Sequence, residues 1–126
     1  VRKARSETPV ILIDFHADAP EEKEALCHYL DGEISALVGT HTHVQTADER
    51  ISAKGTAYLT DLGATGPRNS IIGFDPELGI QRSLTMLPIK NEVSTNNAWV
   101  RGALIRINAE TGKALSIERI AQLSAV

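Results

Sequence analysis

An α/β fold follows from three features of the sequence. Short apolar runs of strand length alternate with a helical pattern, two of these runs end in histidine-bearing loops, and the last third changes to two strand-like runs around a polar turn. The expected order is strand and helix in alternation, closed by a C-terminal β-hairpin.

The polar segment 1–7 leads into residues 9–15, a continuous apolar run rich in β-branched residues, which predicts a strand buried on both faces. His16 stands at its end. Pro20 suits the first turn of a helix, and Glu21 and Glu22 are favourable near its positive end. Ala25, Leu26, Tyr29 and Leu30 fall on one face before Gly32 stops it. A second short strand, 35–38, ends in Gly39-Thr40-His41-Thr42-His43, so both histidine loops follow the carboxyl ends of strands, where sheets of this kind place their sites. A third run, 56–60, leads into Asp61-Leu62-Gly63-Ala64-Thr65-Gly66-Pro67, with Gly66-Pro67 read first as a turn. A helix over about 77–86 follows Pro76. Residues 99–107 and 114–120 flank a polar connection and predict the hairpin, and 91–97 reads as an exposed loop or edge.

Composition narrows the function. At 126 residues, 42% hydrophobic and 23% charged, the chain holds at most one globular domain, and its start at Val1 suggests a piece of a longer chain. Thirteen basic residues lie scattered among sixteen acidic ones for a net charge of -3, which argues against an extended nucleic-acid surface or attraction to an anionic membrane. Cys27 alone forms no internal disulfide, and no apolar stretch approaches the roughly 20 residues of a membrane span. The expected compartment is the cytoplasm.

The chemistry concentrates in the histidines. Residues i and i+2 of an extended segment point to one side, so His41 and His43 can face one cavity, beside Gly39, which permits close backbone approach. Imidazole is the commonest neutral metal ligand, and His16, at a neighbouring strand end, would bring a third ring to the same rim. Three histidines suit zinc, iron or manganese. The competing reading is a polar turn whose histidines bond backbone groups. His28, inside the amphipathic helix, reads as a surface or packing residue. Asp14 and Asp18 flank His16 as partners fixing its tautomer, Asp18 being equally suited to cap the helix. Thr40, Thr42, Gln45, Thr46 and Asp48 either back the metal loop or only stabilise its turn. Thr65, Gly66 and Arg68 either reach a phosphate or simply form a turn. Cys27, Met86 and Trp99 read as packing residues.

Three blocks together carry a more specific signal: Ile13-Asp14-Phe15-His16-Ala17, residues 38–49 around His41 and His43, and Thr60-Asp61-Leu62-Gly63-Ala64-Thr65-Gly66-Pro67. Over essentially the whole chain the sequence resembles the YmdB-type proteins of the calcineurin-like metallophosphoesterases, described as 2',3'-cyclic-nucleotide phosphodiesterases. The resemblance implies an αββα sandwich holding two divalent or mixed-valence metal ions about 3.5 Å apart. Iron or manganese is expected, with zinc or magnesium as alternatives. By motif, His16 and His41 would bind one metal and His43 the other. The family's first half supplies an aspartate, a glutamate-asparagine pair, and an asparagine followed by the general-acid histidine. None of those blocks occurs here, so no catalytic residue is assigned. Residues 1–126 would then be the C-terminal portion of a single domain, inactive alone, with the absent N-terminal half as partner and a cyclic nucleotide or related phosphate ester as substrate. The alternative is a non-catalytic metal-binding or oligomerisation module, a homo-oligomer with the hairpin as its interface.

Overall fold

The computed structural model describes residues 1–124. In chain order the elements are α1 (Arg2–Arg5), β1 (Leu12–His16), α2 (Pro20–Tyr29), β2 (Ala36–Thr40), β3 (Arg50–Ile51), β4 (Ala57–Leu59), β5 (Gly66–Pro67), α3 (Pro76–Thr85), β6 (Ala98–Ile107) and β7 (Ala114–Leu123). They build two sheets, one ordered β1-β2-β4-β3 and one ordered β5-β6-β7. In the first, β1, β2 and β4 run parallel and β3 antiparallel, whereas the second is antiparallel throughout and contains the expected C-terminal hairpin β6–β7.

Alternation along β2 and β4 explains the layers. Leu37 and Tyr58 point to one face and pack with Ile34 and Cys27 under Ile13, Phe15, Leu26 and Leu30, while Ala36 and Ala57 point to the other and meet Ala114, Ile105 and Ile117 of the hairpin. The sheet therefore lies between α2 and the hairpin, and alanines on the hairpin side allow the two sheets to approach closely.

β1 departs from the expectation of a strand buried on both faces. Ile13 and Phe15 face the α2 core, but Leu12, Asp14 and His16 are exposed, Leu12 by 61%. The cause is position: β1 is the edge strand, and the hairpin lies over β3 and β4 at the opposite side of the sheet.

The buried stripe of α2 is also shifted. Lys23, Leu26, Cys27 and Leu30 form it at the spacing of one helix face, leaving Ala25 exposed and Tyr29 83% exposed. A lysine takes a core position because its ammonium finds a carbonyl and a carboxylate there. Gly66-Pro67 is a two-residue edge strand paired with Ala98 and Trp99 rather than a turn, a place where proline's missing N–H costs no ladder bond. α3 starts on Asp75, whose side chain accepts from the amides of Glu77 and Leu78, and residues 91–97 form the expected largely exposed connection.

Candidate metal centre

Parallel pairing in register sets His16 opposite Thr40, so the loops after β1 and β2 leave the same end of the sheet. There His16 and His41 meet, with ring centroids 5.1 Å apart and planes at 76°. His16 Nε2 lies 3.2 Å from His41 Nδ1.

The outer nitrogens have oxygen partners. The Thr40 hydroxyl donates to Asp14 Oδ1 at 3.2 Å and is therefore free to accept from His16 Nδ1 at 3.1 Å, while His41 Nε2 lies 3.1 Å from Asp18 Oδ1. In the tautomers in which both rings donate outward, the two inner nitrogens are left as unprotonated acceptors facing each other. Two such nitrogens at 3.2 Å match the span of adjacent ligands on one cation, roughly 3.0–3.4 Å for bonds of about 2.0–2.1 Å. The pair has the spacing of two ligands to one cation, and a full ligand set would need further donors. Asp14 reaches His16 through Thr40, and Asp18 serves His41 rather than His16.

The loop carrying His41 and His43 is strained. His41 has φ 154° and His43 φ 66°, backbone regions that side-chain-bearing residues seldom enter. What holds it is Asp61, only 1% exposed, whose Oδ2 accepts from the Thr42 amide at 2.8 Å and the Thr42 hydroxyl at 2.9 Å, while Oδ1 accepts from the Gly63 amide at 2.8 Å. Fully buried Lys23 completes this floor, its Nζ 3.7 Å from Asp61 and donating to the Thr60 carbonyl at 3.2 Å. Burial by itself would push the Asp61 pKa up, but the Thr42 and Gly63 amides, the Thr42 hydroxyl and Lys23 hold it below the ordinary carboxylate value. Gly39 is required here because a Cβ would stand 1.9 Å from the Thr60 carbonyl oxygen and 2.7 Å from Lys23 Cδ.

Behind the loop, Gln45 Nε2 donates to the carbonyls of Gly102 at 2.9 Å and Ile120 at 3.1 Å, tying it to the hairpin. Thr46 Oγ1 accepts from the Asp61 amide at 2.9 Å. Asp48 accepts from the Thr60 amide and hydroxyl; burial opposes its charge, yet hydrogen bonds from Thr46 and Thr60 bring its pKa below the usual range.

The expected site residues thus divide. His16 and His41 are in contact, whereas His43 lines a cleft of about 480 Å³ with Thr65, Gly66, Arg68, Trp99 and Arg101. Thr65 also has a structural task, its hydroxyl accepting from the Arg101 amide at 3.1 Å. His28 is exposed on α2. Among the described residues no group of three or more His, Cys, Asp or Glu side chains is placed to hold a metal ion. Lys23 and Asp61 were missed as site residues: a lysine in an amphipathic helix reads as solvated, and only the Asp-x-Gly spacing at Asp61 hints at a carboxylate gripping its own turn.

The chain is 52% identical over 120 residues to the 2',3'-cyclic-nucleotide 2'-phosphodiesterase of Bacillus subtilis, covering 95% of this chain and 46% of that protein. A crystal structure described as a novel phosphatase from Mycoplasma pneumoniae superposes with a TM-score of 0.84 at 38% identity, over 91% of this chain and 41% of that one. A hypothetical protein from Thermus thermophilus gives a TM-score of 0.83 at 39% identity, over 91% and 45%. The chain spans under half the length of these relatives. The family model described as YmdB-like protein matches residues 1–120, and the chain belongs to the YmdB-like family.

Proposed function

We propose that the chain is the C-terminal portion of a single metallophosphoesterase domain that hydrolyses 2',3'-cyclic nucleotides or related phosphate esters, with the rest of that domain as its partner. The observation that carries this reading is the His16–His41 pair, whose inner nitrogens lie 3.2 Å apart while the outer ones lean on Thr40 and Asp18. In this reading His16 and His41 hold one cation and His43 the other, iron or manganese being the expected metals. When bound, the cations would polarise phosphoryl oxygens and activate water.

This chain's residues do the positioning. Asp14 and Thr40 orient His16, Asp18 orients His41, and the Asp61–Lys23 floor holds the loop between them. Neutral imidazoles leave the metal charge uncompensated, so carboxylate and asparagine ligands and the general-acid histidine come from the rest of the domain. The exposed face of β1, Leu12 with Asp14 and His16, is the edge onto which that part would pack. The cytoplasm is the proposed compartment; no helix among the described residues is long and apolar enough to cross a membrane.

Manganese-dependent hydrolysis of 2',3'-cyclic AMP is the test. Activity is expected when the chain is completed by the remaining half of the domain, and its loss when His41 is replaced by alanine. Robust metal-dependent hydrolysis by the 126-residue chain alone would overturn the proposal. A non-catalytic oligomerising module is the second reading, favoured by the exposed Val100, Leu104 and Leu115 of the hairpin; a stable oligomer that stays inactive after completion would support it.

A further inference from the structure

The cleft beside His43 carries features that metal ligation does not use. One wall is the histidine loop, and the other is built from β5, β6 and the segment around Phe74. Two arginines, Arg68 and Arg101, line it. Arg50 pairs with Glu24 and Asp48, and Arg119 with Glu49, but neither Arg68 nor Arg101 forms an ion pair among the described residues. Both guanidinium groups lie against the Trp99 indole instead, at 5.3 and 6.0 Å from its centroid. Position is fixed from below: Trp99 pairs with Gly66 in the sheet, and the Arg101 stem packs beside Gly63. Phe74, bridged to Ile71 and Val93, adds a second aromatic surface.

Resting on the phosphoesterase reading above, we propose that this cleft is the nucleoside-recognition subsite of the same site. A nucleobase lies on the Trp99–Phe74 side, and the phosphate is drawn toward His43 by Arg68 and Arg101. Unpaired guanidinium groups attract the anion, aromatic faces accept any base by stacking, and the nearby histidine sets the phosphate at the metal end. A volume of about 480 Å³ falls in the small-molecule range of roughly 300–1,000 Å³, which fits one nucleotide rather than a strand.

Trp99 is the only tryptophan of the chain, so its emission reports the cleft directly. The metal-free chain is titrated with 2',3'-cyclic AMP, with base-free ribose cyclic phosphate, and with an oligonucleotide ending in a 2',3'-cyclic phosphate. Saturable quenching by cyclic AMP is expected, with binding of the base-free compound roughly tenfold weaker and no gain from the oligonucleotide. Arg68→Gln, at an exposed position, and Phe74→Leu should each weaken cyclic AMP binding several-fold with an unchanged circular dichroism spectrum. Absence of a saturable signal, equal affinity for the base-free compound, tighter binding of the longer strand, or wild-type binding by both variants would each overturn the inference. Failure of the underlying reading looks different. Base-dependent quenching without hydrolysis after completion of the domain would remove the proposed activity and leave the subsite, whereas hydrolysis indifferent to the base and to Arg68→Gln would do the reverse.

Discussion

The floor and the rim of the histidine site are built on opposite principles. Lys23 and Asp61 are 0–1% exposed and are satisfied by groups of this chain; His16 and His41 are exposed, and each ring leans on a surface carboxylate or hydroxyl. The floor is a finished piece of protein interior. The rim is a pair of exposed imidazoles on a strained loop, and in the proposed reading its purpose is to hold a metal. Stability and binding should therefore separate cleanly between them.

The largest effect is expected at the floor. Asp61→Ala strands the buried Lys23 ammonium and releases the Thr42 and Gly63 amides, and breaking a buried pair in this way costs about 3–5 kcal/mol. Chemical denaturation should show it, and a loss below about 1 kcal/mol would mean that the floor does not hold the fold. The double variant Lys23→Met/Asp61→Asn should recover part of the loss, since it leaves no buried charge.

Acid should act on the same floor. The Asp61 and Asp48 pKa values are lower in the folded chain than the ordinary value of about 3.9. A depressed carboxylate stabilises the fold fully above its unfolded pKa and loses that contribution as pH falls through the folded one. Thermal stability should thus hold from about pH 7 to about 5 and decline below about 4. Asp61→Asn should flatten the decline; an unchanged acid profile in that variant would remove Asp61 from the account.

At the rim the expectation reverses. His16→Ala and His41→Ala should change stability by no more than about 0.5 kcal/mol, as exposed residues do, while abolishing manganese binding in the completed domain measured by calorimetry. If either variant destabilises the chain as much as Asp61→Ala, the contrast between the regions fails. Gln45→Ala should fall between the floor and the rim in its effect on stability. It removes two donations to the hairpin, worth about 1–2 kcal/mol together, and should show first as faster amide exchange at Gly63 and Gly102.

Much of the fold was legible because it is written locally. Apolar runs of strand length, Pro20 and Pro76 at helix starts, and the turn before residue 114 each act over a few residues, and the sheets follow. The histidine blocks were legible as a candidate site for the same reason, being contiguous. What escaped depends on long-range neighbours. Residues 9–15 look doubly buried, but burial depends on what covers the sheet, and β1 is an edge. Tyr29 is the more apolar choice for the inner face of α2, yet Lys23 takes a core place because Asp61, 38 positions along the chain, waits there.

The sequence by itself determined the alternating architecture, the hairpin and the strand ends at which His16, His41 and His43 stand, since periodicity and turn chemistry act between near neighbours. Only the tertiary structure decided that His16 and His41 touch while His43 opens onto the cleft of Arg68 and Trp99. It also decided that a lysine and an aspartate support the loop from beneath. Those pairings join segments far apart in the chain, and the cost of burying a charge is settled only by the partner that the fold brings to it.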